Sequence, residues 1–313
     1  MEDKIISSRN MEHCSNAISN DYGLWYHATM RQTLTTLLSS RQYQESNLTL
    51  PVLLGTTNEN DISLIDVTKS PHVLIGGAPA QGKTMLLHSI ILSLLLKKSP
   101  QELKLVLIDP TKIEFGVYAF LNEQHFYHST HGKEKVLSHI SSCIEMVKCL
   151  TDEMDLRYDL LHRAKCRNIK EYNHKIHSGQ IPQNAEYNIM PYIVVIIDEF
   201  SDVAVAGGEE FLSMFMHLLS LSRSVGIHII FSTYRHDTDI ITGMIKANVP
   251  VRIGFRFIDK HASLRLLDRV VQQDYLGVGE AIYSEGSCAF RINTPYLEVP
   301  EIEVMIAQIN KAH

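Results

Sequence analysis

The sequence predicts an α/β domain in which a mostly parallel sheet is flanked by helices. Two observations carry that expectation. From Pro51 onward, short β-rich apolar runs alternate with longer stretches of helical periodicity, the order that builds strand–helix–strand crossovers. Residues 77–84, Gly-Ala-Pro-Ala-Gln-Gly-Lys-Thr, stand where one such apolar run gives way to a helical one.

Taken in order, the first fifty residues are polar, with Ser and Asn spread throughout and one amphipathic stretch at 24–38 that suits a short helix. They read as an N-terminal appendage, residues 1–50, ahead of a main domain at 51–313. Strands are expected at 72–76, 103–109, 192–198, 227–233 and 249–255. Several are apolar on successive residues, the mark of strands covered on both faces. Helices are expected at 83–97, around 133–163, at 209–223 and near 259–270, each long enough for a crossover connection. The region 168–190 reads as a polar excursion before the third strand.

Composition bounds the function classes. The chain has 313 residues, 45% apolar and 20% charged, which excludes disordered, collagen-like and disulfide-scaffold classes. Cysteines at 14, 143, 149, 166 and 288 are odd in number with no Cys-x-x-Cys pair, so reduced thiols are expected. The longest apolar run, 85–96, is too short to span a bilayer, and no segment has the order of a signal peptide. A cytoplasmic protein with no transmembrane segment in this chain is the expectation. Net charge is −6, so a phosphate-coated partner would have to be held by local basic loops.

Three segments carry chemistry. Gly77, Gly82, Lys83 and Thr84 satisfy Gly-x-x-x-x-Gly-Lys-Ser/Thr between a strand and a helix. The glycines let backbone N–H groups curl around a phosphate, and the helix N-terminus adds its positive dipole end. Lys83 reaches the β/γ oxygens and Thr84 ligates Mg²⁺, so ATP and Mg²⁺ are expected on Gly77, Ala78, Pro79, Ala80, Gln81, Gly82, Lys83, Thr84 and Met85. A continuous apolar strand, 193–197, then ends in Asp198 and Glu199, one carboxylate for the Mg²⁺ shell and one to accept a proton from the attacking water.

Arg223 closes a helix just before the strand at 227–232. It suits either a guanidinium reaching a neighbour's γ-phosphate or a helix C-terminal cation facing the dipole. Arg235, Lys246, Arg252, Arg256 and Lys260 follow in an otherwise acidic chain, as either a phosphate-tracking set or ordinary surface charge. His125, His128 and His131 recur at threes without a cysteine and read as solvated loop residues, not a metal site.

Over about residues 30–305 the chain resembles the motor domain of the FtsK/SpoIIIE family of bacterial DNA translocases. The likeness rests on Pro71-His72-Val73-Leu74-Ile75-Gly76-Gly77, on Leu107-Ile108-Asp109-Pro110 with Glu114 and Tyr118, and on Arg167-Asn168-Ile169-Lys170-Glu171-Tyr172-Asn173. Pro191-Tyr192-Ile193-Val194-Val195 and the long Ile240-Ile241-Thr242-Gly243-Met244-Ile245-Lys246-Ala247-Asn248 segment extend it, as does the turn Leu276-Gly277-Val278-Gly279-Glu280. The resemblance implies a RecA-like P-loop NTPase domain in a homo-hexameric ring, with ATP between neighbours and double-stranded DNA through the channel. It implies Lys83 and Thr84 at the nucleotide, Asp198 and Glu199 as the Mg²⁺ and water carboxylates, Arg223 as arginine finger, and Arg235, Lys246 and Lys260 in or near DNA-facing loops.

Departures from the family pattern matter too. Tyr234 stands where the family has a glutamine that senses the γ-phosphate, Thr111 where it has lysine, and Ser263-Leu264-Arg265 where it has Ser-Arg-Thr. Set against the family, the chain would lack the membrane-spanning N-terminus, the C-terminal winged helix and most of the first motor subdomain, of which residues 1–50 read as a remnant. Three functions are therefore expected candidates. One is a DNA-pumping ATPase. Another is a protein-export ATPase like those of type VII secretion, which share the fold. The third is an ATP-binding ring subunit that hydrolyses slowly because Tyr234 replaces glutamine.

Overall fold

The computed structural model describes residues 32–129, 132–184, 186–235, 240–257, 260–269 and 276–312. Among these, ten strands form one sheet in the order β2-β1-β10-β9-β8-β3-β7-β6-β4-β5. The strands are β1 (Pro51–Thr57), β2 (Ile62–Asp66), β3 (His72–Gly76), β4 (Leu103–Ile108), β5 (Val136–Leu137), β6 (Tyr192–Ile197), β7 (Ile227–Thr233), β8 (Val251–Phe255), β9 (Glu280–Glu285) and β10 (Cys288–Asn293). From β8 to β5 every pairing is parallel. That block contains all five expected strands, each within two residues of its expected ends.

The parallel block forms where the sequence is apolar on successive residues. All six residues of β6 and all seven of β7 are buried, so both faces need cover, and crossover helices supply it. The helices are α1 (Leu34–Leu38), α2 (Arg41–Gln44), α3 (Lys83–Leu95), α4 (Ile140–Arg163), α5 (Ile169–His177), α6 (Phe200–Leu221), α7 (Gly243–Asn248), α8 (Lys260–Leu267) and α9 (Val299–Ala312). The helix expected at 209–223 is the second half of α6, which begins at Phe200 and breaks at Gly208, where φ is 65° and ψ is −161°. The polar excursion at 168–190 contains α5. Asn168 caps it by accepting the Glu171 N–H at 2.9 Å, and the Glu171 carboxylate reaches back to the Arg167 N–H at 3.0 Å.

Five strands lie outside the expected pattern. The short β5 forms within the stretch expected to be helical around 133–163, where α4 starts only at Ile140, while β1, β2, β9 and β10 extend the sheet by antiparallel pairing from β8. Their sequences mix polar and apolar residues, and β9 and β10 close a hairpin on Gly286 at φ 58°. Residues 32–50, the described part of the expected appendage, share the main core. Leu34, Leu37, Leu38, Tyr43, Leu48 and Leu50 are buried, each at about 1.5–3 kcal/mol for a fully covered side chain. The Tyr43 hydroxyl donates to Ser93 O at 2.6 Å on α3. Residues 1–31, including most of the helix expected at 24–38, lie outside the described residues.

Cys143, Cys149 and Cys166 keep their thiols, whereas Cys288 is disulfide-bonded, contrary to the expectation of reduced thiols throughout. Among the described residues no helix is long and apolar enough to cross a membrane.

Parallel register decides where the chemistry sits. Gly76 pairs with Thr233, Ile108 with Ile197, and Ile197 with Phe231. The C-terminal ends of β3, β4, β6 and β7 therefore share one sheet edge, which brings Gly77, Asp109, Asp198 and Thr233 together from four distant stretches of sequence.

Candidate functional site

The glycine-rich loop leaves β3 with backbone that suits glycine. Gly77 has φ 149° and Gly82 φ 116°, and a Cβ at Gly77 would meet the Phe255 Cβ at 2.7 Å. The loop is held from the residue just past β8 and from the turn that leads into β9: Ala78 N–H donates to Arg256 O at 2.8 Å, and Gly279 N–H donates to Gln81 O at 2.8 Å. The Gly279 support comes from the 276–280 turn that the resemblance singled out. The loop opens α3, whose first turn carries Lys83, Thr84 and Met85, the last two half-buried. Pro79 and Ala80 at the crest are exposed.

Lys83 is buried at 8% exposure. Its ammonium donates to Gly77 O at 2.8 Å and Ala78 O at 3.0 Å, so the loop's own carbonyls satisfy the cation. Burial lowers its pKa, and the negative charges of Glu199 and Asp198 pull the other way. The donor set fits a nucleotide: glycines that let the backbone turn tightly against Phe255 and Gly279, a loop that opens the N-terminus of α3, and a buried ammonium under the charge of two carboxylates.

Asp198 and Glu199 leave β6 beside this loop, both 7% exposed. Asp198 Oδ1 accepts from the Ser232 hydroxyl at 2.6 Å, and Ser232 Oγ in turn accepts the Glu199 N–H at 3.1 Å. Glu199 has φ 56°, a left-handed conformation that a non-glycine residue holds only under constraint. Its carboxylate supplies the constraint by accepting from the Ser201 hydroxyl, from Thr233 Oγ1 at 3.0 Å and from Tyr234 N–H at 3.0 Å. Burial raises both carboxyl pKa values; the Ser232 bond opposes this at Asp198, and the Ser201, Thr233 and Tyr234 bonds oppose it at Glu199.

Two further acids stand at this edge. Asp109 is fully buried and organises the loop after β4. Its Oδ1 accepts from Thr111 N–H at 3.0 Å, the Thr111 hydroxyl at 2.6 Å and Lys112 N–H at 3.1 Å, while Oδ2 takes Glu114 and Phe115 N–H at 2.9 and 3.0 Å. Threonine at 111, the departure noted in the sequence, thus serves as a direct donor to Asp109. Glu114 is tied to this edge by the bond from its N–H to Asp109, and its pKa is raised by burial and by the charges of Asp198 and Asp109. The only signal for either residue lay in the resemblance.

The basic residues divide. Arg223 is exposed in a 3-10 turn, Ser222–Val225, and forms no ion pair among the described residues. It precedes β7, whereas the loop adjoins the far end of that strand, about 20 Å away for seven residues at about 3.3 Å each. Arg235 is exposed, and its Nε donates to Tyr234 Oη at 3.1 Å. The Lys246 ammonium is engaged by Asp268 Oδ1 at 2.6 Å and Arg265 O at 3.0 Å, and Asp268 also pairs with Arg252. The Lys260 side chain lies outside the described residues. His125 is buried and His128 pairs with Glu123 at 3.2 Å, so these two are not solvated as expected; His131 lies outside the described residues. No cluster of metal-ligating residues occurs among the described residues.

With this geometry in hand, the chain can be set beside known proteins. The pattern of the FtsK/SpoIIIE family matches residues 33–238. The chain is 36% identical over 279 residues to the DNA translocase FtsK of Treponema pallidum (strain Nichols), covering 88% of this chain and 33% of that protein. Against the DNA translocase FtsK of Haemophilus influenzae the identity is 32% over 288 residues, covering 86% of this chain and 53% of the relative. This chain thus spans only part of the curated relatives it matches. Among solved structures, the pCW3 conjugation coupling protein TcpA, in monomer form with ATPγS, matches with a TM-score of 0.72 at 27% identity, over 87% of this chain and 73% of that one. The cytoplasmic domain of the type VII secretion ATPase EccC of Thermomonospora curvata shares the fold, with a TM-score of 0.74 at 22% identity over 89% of this chain and 34% of that one.

Proposed function

The chain belongs to the FtsK/SpoIIIE family, and from that premise we propose that it is an ATP-driven motor that moves double-stranded DNA, hydrolysing ATP at the junctions of a homo-hexameric ring. One observation carries the reading. The nucleotide constellation is assembled within the chain except for a guanidinium, and the candidate guanidinium, Arg223, stands exposed at the opposite end of β7. In this reading it lies too far from its own nucleotide, and a second copy presents it.

In this reading Gly77 to Met85 wrap the phosphates with backbone N–H groups, and the Lys83 ammonium turns from the Gly77 and Ala78 carbonyls to the β/γ oxygens. Thr84 and Asp198 would hold Mg²⁺, which neutralises charge on the phosphate oxygens when bound. Glu199 orients the attacking water and takes its proton. Arg235 meets the DNA backbone directly, while Lys246 does so only by leaving Asp268, and Lys260 is assigned to the same face by the resemblance. The conjugation coupling protein solved with ATPγS supports the nucleotide assignment, and the relatives named DNA translocase FtsK support DNA as the cargo.

A second reading, an ATP-binding ring subunit that hydrolyses slowly, is favoured by Tyr234. Its ring turns outward to Arg235 and only its backbone N–H touches Glu199. Tyr234→Gln should then raise turnover. Protein export rests on shared fold alone. The test of the leading reading is ATP turnover with and without duplex DNA, alongside Lys83→Ala and a count of subunits on DNA. Stimulation by DNA, abolished in Lys83→Ala, is expected; an assembled ring whose turnover ignores DNA overturns it.

A further inference from the structure

Thr233 is wholly buried at the end of β7, and its hydroxyl has one proton and two claimants. Oγ1 lies 3.0 Å from Glu199 Oε1 and 3.0 Å from Arg235 O, and it accepts the Arg235 N–H at 3.1 Å. A carboxylate oxygen and a carbonyl oxygen are both acceptors only, so the proton satisfies one of them at a time. When it goes to Glu199, the carboxylate has its full set of donors: Ser201 Oγ and Thr233 Oγ1 on Oε1, and Tyr234 N–H across both oxygens at 3.3 and 3.0 Å. When it goes to Arg235 O, the turn at Tyr234 and Arg235 is closed by two hydrogen bonds and Glu199 is held by one donor fewer.

We propose that Thr233 is a positioning residue for Glu199, and that its hydroxyl joins the Tyr234-Arg235 turn to the carboxylate by giving its single proton to one or the other. The inference rests on the proposed roles of Glu199 as proton acceptor and Arg235 as a contact to the phosphate backbone. Arg235 supplies both halves of the linkage. Its exposed guanidinium is the group an anionic strand grips, and its carbonyl is the acceptor that competes for the Thr233 proton. Turning that carbonyl away delivers the proton to Glu199. The left-handed backbone at Glu199 is then pinned from two directions, by Ser201 at the start of α6 and by the end of β7. Ser201 touches the same carboxylate oxygen but has no bond to the turn, so the two hydroxyls separate holding from coupling.

The experiment measures kcat, the KM for ATP and the affinity for a fluorescent ATP analogue, with and without duplex DNA. The proteins compared are the wild-type chain, Thr233→Val, Thr233→Ser and Ser201→Ala. Valine keeps the shape and removes the proton. Thr233→Val should lower DNA-stimulated kcat by roughly tenfold to a hundredfold, the scale of one hydrogen bond to a charged group, with KM and analogue affinity within about twofold. Its stimulation by DNA should fall towards none. Thr233→Ser, which restores the proton, should recover both. Ser201→Ala should lower kcat yet keep the stimulation ratio.

Wild-type stimulation in Thr233→Val overturns the inference. So does a loss of kcat matched by a loss of nucleotide affinity, or a Thr233→Ser protein as impaired as Thr233→Val. If Thr233→Val does not fold, as judged by its melting transition, Thr233→Cys carries the same comparison with a weak donor. A wild-type protein without DNA-stimulated turnover refutes the motor reading and this inference with it; a normal wild type with an unaltered Thr233→Val refutes the inference alone.

Discussion

Glu199→Gln tests the centre of the site, because it removes one charge and little else. Three donors meet the carboxylate: the Ser201 and Thr233 hydroxyls and the Tyr234 N–H. A hydroxyl can reverse and accept, whereas an amide N–H cannot. The glutamine oxygen should therefore turn to Tyr234 N–H, and its NH₂ should donate to the two hydroxyl oxygens, which releases the Thr233 proton to Arg235 O. Neutral hydrogen bonds are worth about 1 kcal/mol net, against about 1.5–3 kcal/mol for bonds to a charge, so the exchange costs about 0.5–2 kcal/mol per bond and roughly 1.5–6 kcal/mol over the three. Relief of the burial that raises the Glu199 pKa offsets part of this. The net change should be a loss of roughly 1–4 kcal/mol, a fall in Tm of about 2–16 °C for a domain of this size. Turnover should fall by about 10²–10⁴, the scale of a lost general base. Phosphate release on duplex DNA at saturating ATP reads the loss, and a fluorescent analogue reads binding, which should be unchanged. A variant that keeps more than about a tenth of wild-type turnover, or whose nucleotide affinity falls in parallel, would refute the reasoning.

Other consequences can be checked alongside it. Arg223→Ala should leave Tm and ATP affinity unchanged, since the side chain is exposed, yet cut turnover by about 10³ or more; mixing it with Lys83→Ala, itself inactive, should restore measurable turnover by pairing an intact nucleotide loop with an intact neighbouring Arg223. Gly77→Ala should abolish stabilisation by ATP, because its Cβ would stand 2.7 Å from the Phe255 Cβ at φ 149°; an ATP-dependent rise in Tm equal to wild type would contradict this. Burial lowers the pKa of His72 to about 3 and that of His228 to about 4, so the unfolded chain binds more protons below its ordinary histidine value of 6.5. The stability these two residues contribute is complete above that value and is lost as pH falls towards about 4 and then about 3. Asp198, Glu199 and Glu114, with raised pKa values, work in the opposite sense as pH falls. His72→Asn keeps an acceptor where Nδ1 takes the Ile229 N–H, and should shrink the stability loss between about pH 7.5 and 5 by about 2 kcal/mol in denaturant melts at the two pH values.

The sequence by itself determined the elements whose signals are local. A glycine-rich turn before Lys83, an unbroken apolar run ending in Asp198 and Glu199, and helices of crossover length are each read from one continuous stretch of chain, and each specifies the same parallel arrangement. Register then follows: strands buried on both faces align their C-terminal ends, which places the carboxylates beside the phosphate loop. What only the tertiary structure decided depends on contacts made far along the chain. The antiparallel extension from β9 to β2 has weak periodicity, and its pairing is set by which sheet edge β8 leaves open. Residues 32–50 are polar enough to read as an appendage, yet their few leucines and Tyr43 find a surface on β1 and α3. Lys246 looks like a free basic residue until Asp268, twenty-two positions on, takes its charge. Thr233 reads as an ordinary strand end in sequence. Only the meeting of β6, β7 and the turn at Arg235 gives its one proton two places to go, because a hydroxyl's role is set by the acceptors that folding brings within reach.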